Sequence, residues 1–93
     1  MSTVTTPVRI RIEPERASES LRRIREEVVA ANGEVALDLS LLARIDSSAL
    51  REMELLARAA EEKNAKPAVH GANIEIYKVL KLARLSERFR FVD

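Results

Sequence analysis

The sequence predicts a single small α/β domain with a four- to five-stranded mixed sheet and with helices packed mainly on one side. Short segments dense in apolar residues alternate with longer segments whose apolar residues recur every three or four positions. The chain has 93 residues, the length of one domain, and its 46% hydrophobic and 33% charged residues are typical of a globular protein. We expect residues 1–7 to form a flexible N-terminal tail and residues 8–93 to form the domain.

The first strand and the first helix are predicted from different periodicities. Val8–Ile12 alternates apolar and basic residues, which is the pattern of a strand buried on one face, and Pro14 ends it. Between Glu15 and Ala31 one face of an amphipathic helix is formed by Ala17, Leu21, Ile24, Val28 and Ala31. Gly33 ends this helix, because glycine is the usual residue at a left-handed helix terminus.

The remainder of the chain continues the alternation of strands and helices. Val35–Leu39 is apolar enough for an interior strand, and a second helix begins near Asp46. A short strand at Pro67–His70, a third helix capped by Asn73 and a last strand at Phe89–Val92 complete the order.

The predicted core follows from the apolar faces of these strands and helices. The core is expected to contain Leu21, Ile24, Val28, Leu37, Leu39, Leu50, Met53, Ile76, Leu80 and Phe91. Ile74, Tyr77 and Leu82 lie off the inner face of the third helix. They would pack on the connecting loops or on a second copy of the domain, which would make a weak homodimer.

Composition excludes several classes of function. The chain has no Cys, so thiol nucleophiles and thiolate metal sites are absent, and its one histidine, His70, excludes multi-histidine metal sites. A net charge of +1 and only one Tyr and two Phe argue against nucleic acid as a partner. We expect no cofactor and no membrane insertion, and the lack of a basic-then-apolar leader favours the cytoplasm. A small binding or regulatory module is the favoured class.

The Asp46–Ser48 turn carries the most informative chemistry. Ser and Asp at a helix start usually cap the helix, because their side-chain oxygens accept hydrogen bonds from free backbone N–H groups. In a functional interpretation a serine here carries a phosphate, because a helix N-terminus offers donors and partial positive charge to an anion. Arg44 is either a solvated loop residue or a neighbour of that phosphate. Leu55 should face outward, as a single exposed leucine or as a hydrophobic anchor for a partner.

Two motifs in the second half of the chain resemble those of STAS domains, the fold of anti-sigma-factor antagonists. Leu37–Leu50 contains an apolar strand ending in Asp-Leu-Ser, a spacer, and Ile-Asp-Ser-Ser-Ala-Leu. Gly71-Ala72-Asn73, followed by the leucine-rich segment Val79–Leu85, is similar to the family's Gly-x-Asn stretch and its following helix. The resemblance covers Val35–Val92. Members of the family usually open with two strands, whereas one convincing strand precedes the first helix here, so the extra edge strand is either lost or supplied by Thr3–Thr6. Ala49 stands where the family usually has glycine.

The resemblance implies an anti-anti-sigma factor that is switched by phosphorylation. The unphosphorylated domain would bind an anti-sigma factor that is also a serine kinase of the histidine-kinase-like ATPase type, and binding would release the sigma factor. Phosphorylation of Ser47 would dissociate the complex. Asp46 would orient the hydroxyl and the loop, and Ser48 would supply a second capping hydroxyl.

Two other functions stay open on the sequence. The same core resembles the small STAS subunit of phospholipid-trafficking ABC transporters, which docks on the ATPase subunit and has a Val-Asp-Thr turn that aligns with Ile45–Ser47. Ser47, Asp46 and His70 can also be drawn as a catalytic triad. Nothing in the sequence indicates an oxyanion hole or a substrate pocket, so an enzyme is not expected.

Overall fold

Strands and helices alternate in the order that the sequence predicts. The computed structural model describes residues 8–32 and 34–92, so the predicted tail and the Thr3–Thr6 strand lie outside the described residues. The strands are β1 (Arg9–Arg11), β2 (Ala36–Asp38), β3 (Ala68–His70) and β4 (Arg90–Val92). The helices are α1 (Ala17–Ile24), α2 (Ala30–Asn32), α3 (Ser47–Glu62) and α4 (Ile74–Leu82). None of these helices is long and apolar enough to cross a membrane.

The four strands form one sheet in the order β1-β2-β3-β4, and each pairs with its neighbour in parallel. The register places one residue of each strand in a row across the sheet: Ile10, Leu37, Val69 and Phe91. The α/β class and the four strands are confirmed. The mixed pairing expected from the sequence is not found among the described strands, because every connection is a helical crossover that returns the chain to the same end of the sheet.

One face of the sheet and the inner faces of the helices form the core. Side chains alternate between the two faces of a strand, so Leu37 points into the core while its neighbour Asp38 points to the other face. Of the predicted core residues, the buried ones are Leu21, Ile24, Leu37, Leu39, Met53, Ile76 and Leu80. The others, Val28, Leu50 and Phe91, are half-buried and pack against the edge of the core. Crossovers between neighbouring parallel strands are nearly always right-handed, and in the strand order β1-β2-β3-β4 this places successive helices on the same side of the sheet.

The first helix is interrupted by a π-helical segment, Arg25–Val29, that joins α1 to α2. A π turn contains one more residue than an α turn, so it shifts the apolar face by one position. Val29 is therefore fully buried in the place predicted for Val28, and Ala31 is exposed. The predicted stripe is correct up to Ile24; beyond it Val28 is only half-buried against the core and Ala31 is exposed.

Both long helices end with a residue in the left-handed region just beyond the last turn. Asn64 follows α3 with φ 56°, and Arg84 follows α4 with φ 62°. This position usually holds glycine, and asparagine is the next most tolerated residue. An arginine there is unusual.

Leu80→Ala is expected to lower the free energy of unfolding by about 2–5 kcal/mol, because this fully buried side chain would leave a cavity. Leu82→Ala is the matched control on the same helix. Leu82 is 85% exposed, so its replacement should change the free energy of unfolding by less than about 0.5 kcal/mol. Urea unfolding followed by circular dichroism measures both. Equal small effects would contradict the packing of α4.

Candidate functional site

The connection from β2 to α3 lies at the carboxyl edge of the sheet and contains the Asp46–Ser48 turn. In parallel sheets the loops at this edge commonly carry function. Asp46 caps α3, since its Oδ1 accepts a 2.8 Å hydrogen bond from the Ala49 N–H. Its carbonyl oxygen accepts another 2.8 Å bond from the Leu50 N–H. The helix start is thus held by one side chain and one backbone group of the same residue.

Ser47 and Ser48 are the first two residues of α3, and both are exposed. Neither hydroxyl hydrogen bonds to another residue of the described ranges. The second capping hydroxyl expected at Ser48 is not present, because Ser48 already lies inside the first helical turn and Asp46 holds the cap position. Both serine hydroxyls therefore face solvent beside free backbone N–H groups.

Asn73 ties the β2–α3 loop to the start of α4. Its Oδ1 accepts a 2.9 Å hydrogen bond from the Ile76 N–H, which caps α4 as predicted. Its Nδ2 donates to the carbonyl oxygens of Ala43, at 2.9 Å, and of Leu42, at 3.3 Å. One amide side chain thus satisfies a helix terminus and two loop carbonyls. The loop that precedes Ser47 is held in place from the neighbouring connection.

Gly71 lets the same two connections approach closely. Its φ is +71°, a conformation that side chains with a Cβ rarely adopt. A Cβ built on Gly71 would lie 2.8 Å from the Ser40 Cβ and 3.0 Å from the Ser40 backbone. The Gly-x-Asn stretch therefore packs its first residue against the start of the loop and bonds its third residue to the middle of it.

Asp38 fixes the other end of this loop through charge. Its Oδ1 accepts a 2.9 Å hydrogen bond from the Ser40 N–H, and its Oδ2 lies 3.3 Å from the Arg9 guanidinium and 3.8 Å from that of Arg11. Asp38 is 5% exposed. Hydrogen bonds from the Ser40 side chain and backbone, together with Arg9, lower the pKa of Asp38 to about 2. The carboxylate is thus ionised and joins β1, β2 and the loop.

A shallow groove of about 520 Å³ lies beside the start of α3. Its lining is mostly apolar and consists of Pro14, Ala17, Leu42, Ala43, Arg44, Asp46 and Ala49. Arg44 is exposed and forms no ion pair with another residue that the structure describes. Leu41, in the same loop, is 47% exposed. The surface around the turn therefore combines apolar area with a free cation.

The structure brings some of the predicted site residues together and separates others. Arg44, Asp46 and Ser47 lie at one edge of the sheet. Leu55 is half-buried outside the core cluster, two helical turns and about 12 Å further along α3. His70 lies beside Asp38 on the sheet face opposite the helices, because its neighbour Val69 points into the core.

This placement of His70 does not assemble the triad with Ser47 and Asp46. Across the described residues no group of three or more His, Cys, Asp or Glu side chains is placed to hold a metal ion. The arrangement at the carboxyl edge instead suits recognition by another macromolecule: exposed hydroxyls, an apolar groove and a charged rim on a firmly held loop.

Sequence reasoning missed part of this site. Asn73 was identifiable as a helix cap, but its bonds to Leu42 and Ala43 join residues about thirty positions apart and leave no local pattern. The exposed Leu41 likewise looks like an ordinary loop leucine in the sequence. The signal that could have indicated the contact is the Gly-x-Asn stretch itself, whose first and third residues both serve it.

The fold is shared with two solved structures of TM1081. A crystal structure of this protein, a proposed anti-sigma factor antagonist from Thermotoga maritima, has a TM-score of 0.72 and 20% sequence identity, over 95% of this chain and 75% of that chain. An NMR structure of TM1081 has a TM-score of 0.75 and 18% identity, over 98% and 78%. No protein-family model and no curated protein sequence matches the chain. The α/β fold predicted from the sequence is thus the fold of this proposed anti-sigma factor antagonist.

The Asp38 carboxylate should make stability depend on pH in a defined window. Its pKa in the folded chain, about 2, lies below the ordinary value of 3.8, so ionisation favours the folded state. This contribution, about 2 kcal/mol, is complete above about pH 4 and is lost as the pH falls towards about 2. Wild type should therefore exceed Asp38→Asn in melting temperature near neutral pH, and the gap should narrow in acid. Glu87→Gln, an exposed carboxylate, is the control, and a gap independent of pH would contradict the prediction.

Asn73→Asp separates the two roles of this side chain. The carboxylate still accepts from the Ile76 N–H, but it cannot donate to Leu42 and Ala43 and would face their carbonyl oxygens. We expect a loss of about 1–3 kcal/mol in unfolding free energy and faster amide exchange in residues 40–46 with α4 intact. Hydrogen exchange followed by NMR measures both regions. Unchanged amide exchange in residues 40–46 would contradict the prediction.

Proposed function

We propose that this chain is a STAS-type anti-sigma factor antagonist, a phosphorylation-switched binding module that acts in the cytoplasm. Its partner is an anti-sigma factor that is also a serine kinase of the histidine-kinase-like ATPase type. The unphosphorylated chain binds this partner and so releases a sigma factor, and phosphorylation of Ser47 dissociates the complex. The fold shared with TM1081 supports the general role, and the motifs around Ser47 support the finer one.

The observation that carries this proposal is the position of Ser47. Its hydroxyl is exposed at the first residue of α3, immediately after the Asp46 cap. The preceding loop is held by Asn73 and by Asp38. A kinase needs an accessible hydroxyl, and a binding partner needs a surface with a defined shape. This turn offers both in one place.

The surface proposed for the partner extends from the turn in two directions. Arg44 and the apolar groove lie on one side, and Arg44 would neighbour the phosphate of modified Ser47. On the other side α3 carries Ser48 and, further along, the half-buried Leu55, which would serve as a hydrophobic anchor. Asp46 holds the geometry of the turn and adds a negative charge beside the reacting hydroxyl.

Phosphorylation would act on the complex and leave the fold intact. A phosphate adds about −1.5 to −2 charges and three acceptor oxygens. The N-terminus of α3 tolerates this charge because its free N–H groups and dipole favour an anion. A partner surface shaped for a neutral hydroxyl near Asp46 would instead lose its contacts with that hydroxyl. It would also have to bury the phosphate beside the like charge of Asp46. A penalty of about 3–4 kcal/mol would weaken binding several-hundredfold.

The test is a binding titration of Ser47 variants against the anti-sigma factor kinase, paired with mass spectrometry after incubation with ATP. Ser47→Ala should bind as tightly as unmodified wild type and should accept no phosphate. Ser47→Asp should bind poorly while melting close to wild type, because the added charge lies at a helix N-terminus.

Ser48→Ala is the matched control, since Ser48 is also exposed at the same helix start. It should become phosphorylated like wild type, which shows that the modification depends on Ser47 and not on its neighbour. If phosphate maps to a residue other than Ser47, or if Ser47→Asp binds like wild type, docking on the ATPase subunit of a phospholipid-trafficking ABC transporter becomes the better account. In that role the turn makes a permanent contact and carries no switch.

A further inference from the structure

The C-terminal end of α4 carries a cationic patch around an exposed leucine, away from the Ser47 turn. The patch, here called the α4 patch, consists of Lys78, Lys81, Leu82 and Arg84, which line a shallow groove of about 490 Å³. Lys78 and Leu82 are four residues apart, so they lie on the same helix face. Leu82 is 85% exposed, more than any other large apolar side chain that the structure describes. A single exposed leucine is common on protein surfaces, and Leu82 is distinguished by the three cations that surround it.

The three cations of the α4 patch have no ionic partner among residues 8–32 and 34–92. None of them forms an ion pair or a side-chain hydrogen bond with another residue of the described ranges. Basic residues in a last helical turn interact favourably with the helix dipole, which accounts for Lys81. The helix dipole does not account for the exposure of Leu82 or for the backbone conformation of Arg84.

The backbone of Arg84 is a second unusual feature of the α4 patch, independent of its charges. Its N–H donates to the Lys81 carbonyl at 3.0 Å, and the next N–H, of Leu85, donates to the Leu80 carbonyl at 2.8 Å. This pair of bonds defines a Schellman ending, in which the residue at the Arg84 position has a positive φ and is usually glycine. Arg84 adopts φ 62° despite its Cβ. The Arg84 side chain forms no hydrogen bond or ion pair with a described residue that would explain this strained backbone, which favours an external contact.

We propose that the α4 patch is a docking site for an acidic polypeptide segment that places an apolar side chain against Leu82. Charge complementarity identifies this occupant, because the groove presents three cations and no carboxylate around one apolar group. A lipid surface fits less well. A single leucine on a nine-residue helix would contribute little to membrane insertion. The site is separate from the Ser47 turn and does not rest on the function proposed for it.

The other apolar side chains of α4 do not belong to this patch. Tyr77 packs edge-to-face on Phe91, with ring centroids 5.1 Å apart. Ile74 is 62% exposed but begins the helix, eight residues and about 12 Å from Leu82. The proposed contact is therefore confined to the end of α4.

The test uses fluorescence anisotropy with a labelled synthetic peptide that carries Glu and Leu at helical spacing, and with the same peptide in which Lys replaces Glu. Wild type should bind the acidic peptide and not the basic one. Lys81→Glu and Leu82→Ser should each weaken binding roughly tenfold or more. Lys63→Glu reverses an exposed charge at the end of α3, outside the patch, and should change affinity less than roughly twofold.

Arg84→Gly gives a signature that a purely structural role cannot produce. Relief of the positive φ should raise the melting temperature by a few degrees, while loss of the guanidinium should weaken peptide binding several-fold. Asn64→Gly is the matched control at the end of α3, where the N–H of Asn64 donates to the Glu61 carbonyl in the same arrangement. It should change neither property appreciably, because asparagine tolerates this conformation.

Several results would overturn the proposal. They are no binding of the acidic peptide to wild type, equal weakening by Lys63→Glu and Lys81→Glu, or unchanged peptide binding by Arg84→Gly. Preferential binding to phosphatidylglycerol vesicles would assign the patch to a lipid surface. Self-association of wild type that Leu82→Ser abolishes would assign it to a second copy of the chain. None of these results bears on the phosphorylation of Ser47.

Discussion

Every connection between the four strands that the structure describes is a helical crossover that returns the backbone to the same edge of the sheet. The starts of α3 and α4 therefore lie side by side at the carboxyl edge, although they are far apart in the sequence. Only because of this geometry can Asn73, at the start of α4, reach the carbonyl oxygens of the loop that leads into α3. The position of Ser47 is thus a consequence of the parallel topology as much as of its own turn.

The candidate site combines a firmly held backbone with side chains that have no internal partner. Asp46, Asn73 and Asp38 each use their oxygens or nitrogens on backbone groups of the loop or of a helix start. The serine hydroxyls are left exposed beside them. Under the proposed function, phosphorylation of Ser47 would change the charge at this site while the hydrogen bonds of the loop preserve the surrounding shape. A partner would then meet a local change in charge on an otherwise unchanged surface.

Sequence periodicity predicted the order of the elements and most of the core, because alternation and helical spacing are local properties. The periodicity mispredicted the buried residue at Arg25–Val29, because helical spacing there is not that of an α-helix. The π-helical turn contains one extra residue and moves the fully buried position from Val28 to Val29. The periodicity also missed contacts between distant residues, such as those of Asn73 with the loop. The direction of strand pairing and the groove beside Asp46 depend on how whole elements meet, and no short segment of sequence encodes that.

The two outer strands of the sheet have a consequence for the behaviour of the protein in a crowded solution. An exposed strand edge can recruit the edge of another molecule and so begin an ordered aggregate. Among the described strands β1 and β4 are the outer ones; both are only three residues long, with exposed Arg9 and Arg11 on β1 and exposed Arg90 on β4. Two copies approaching through either edge would bring like charges together. This repulsion opposes extension of the sheet across molecules.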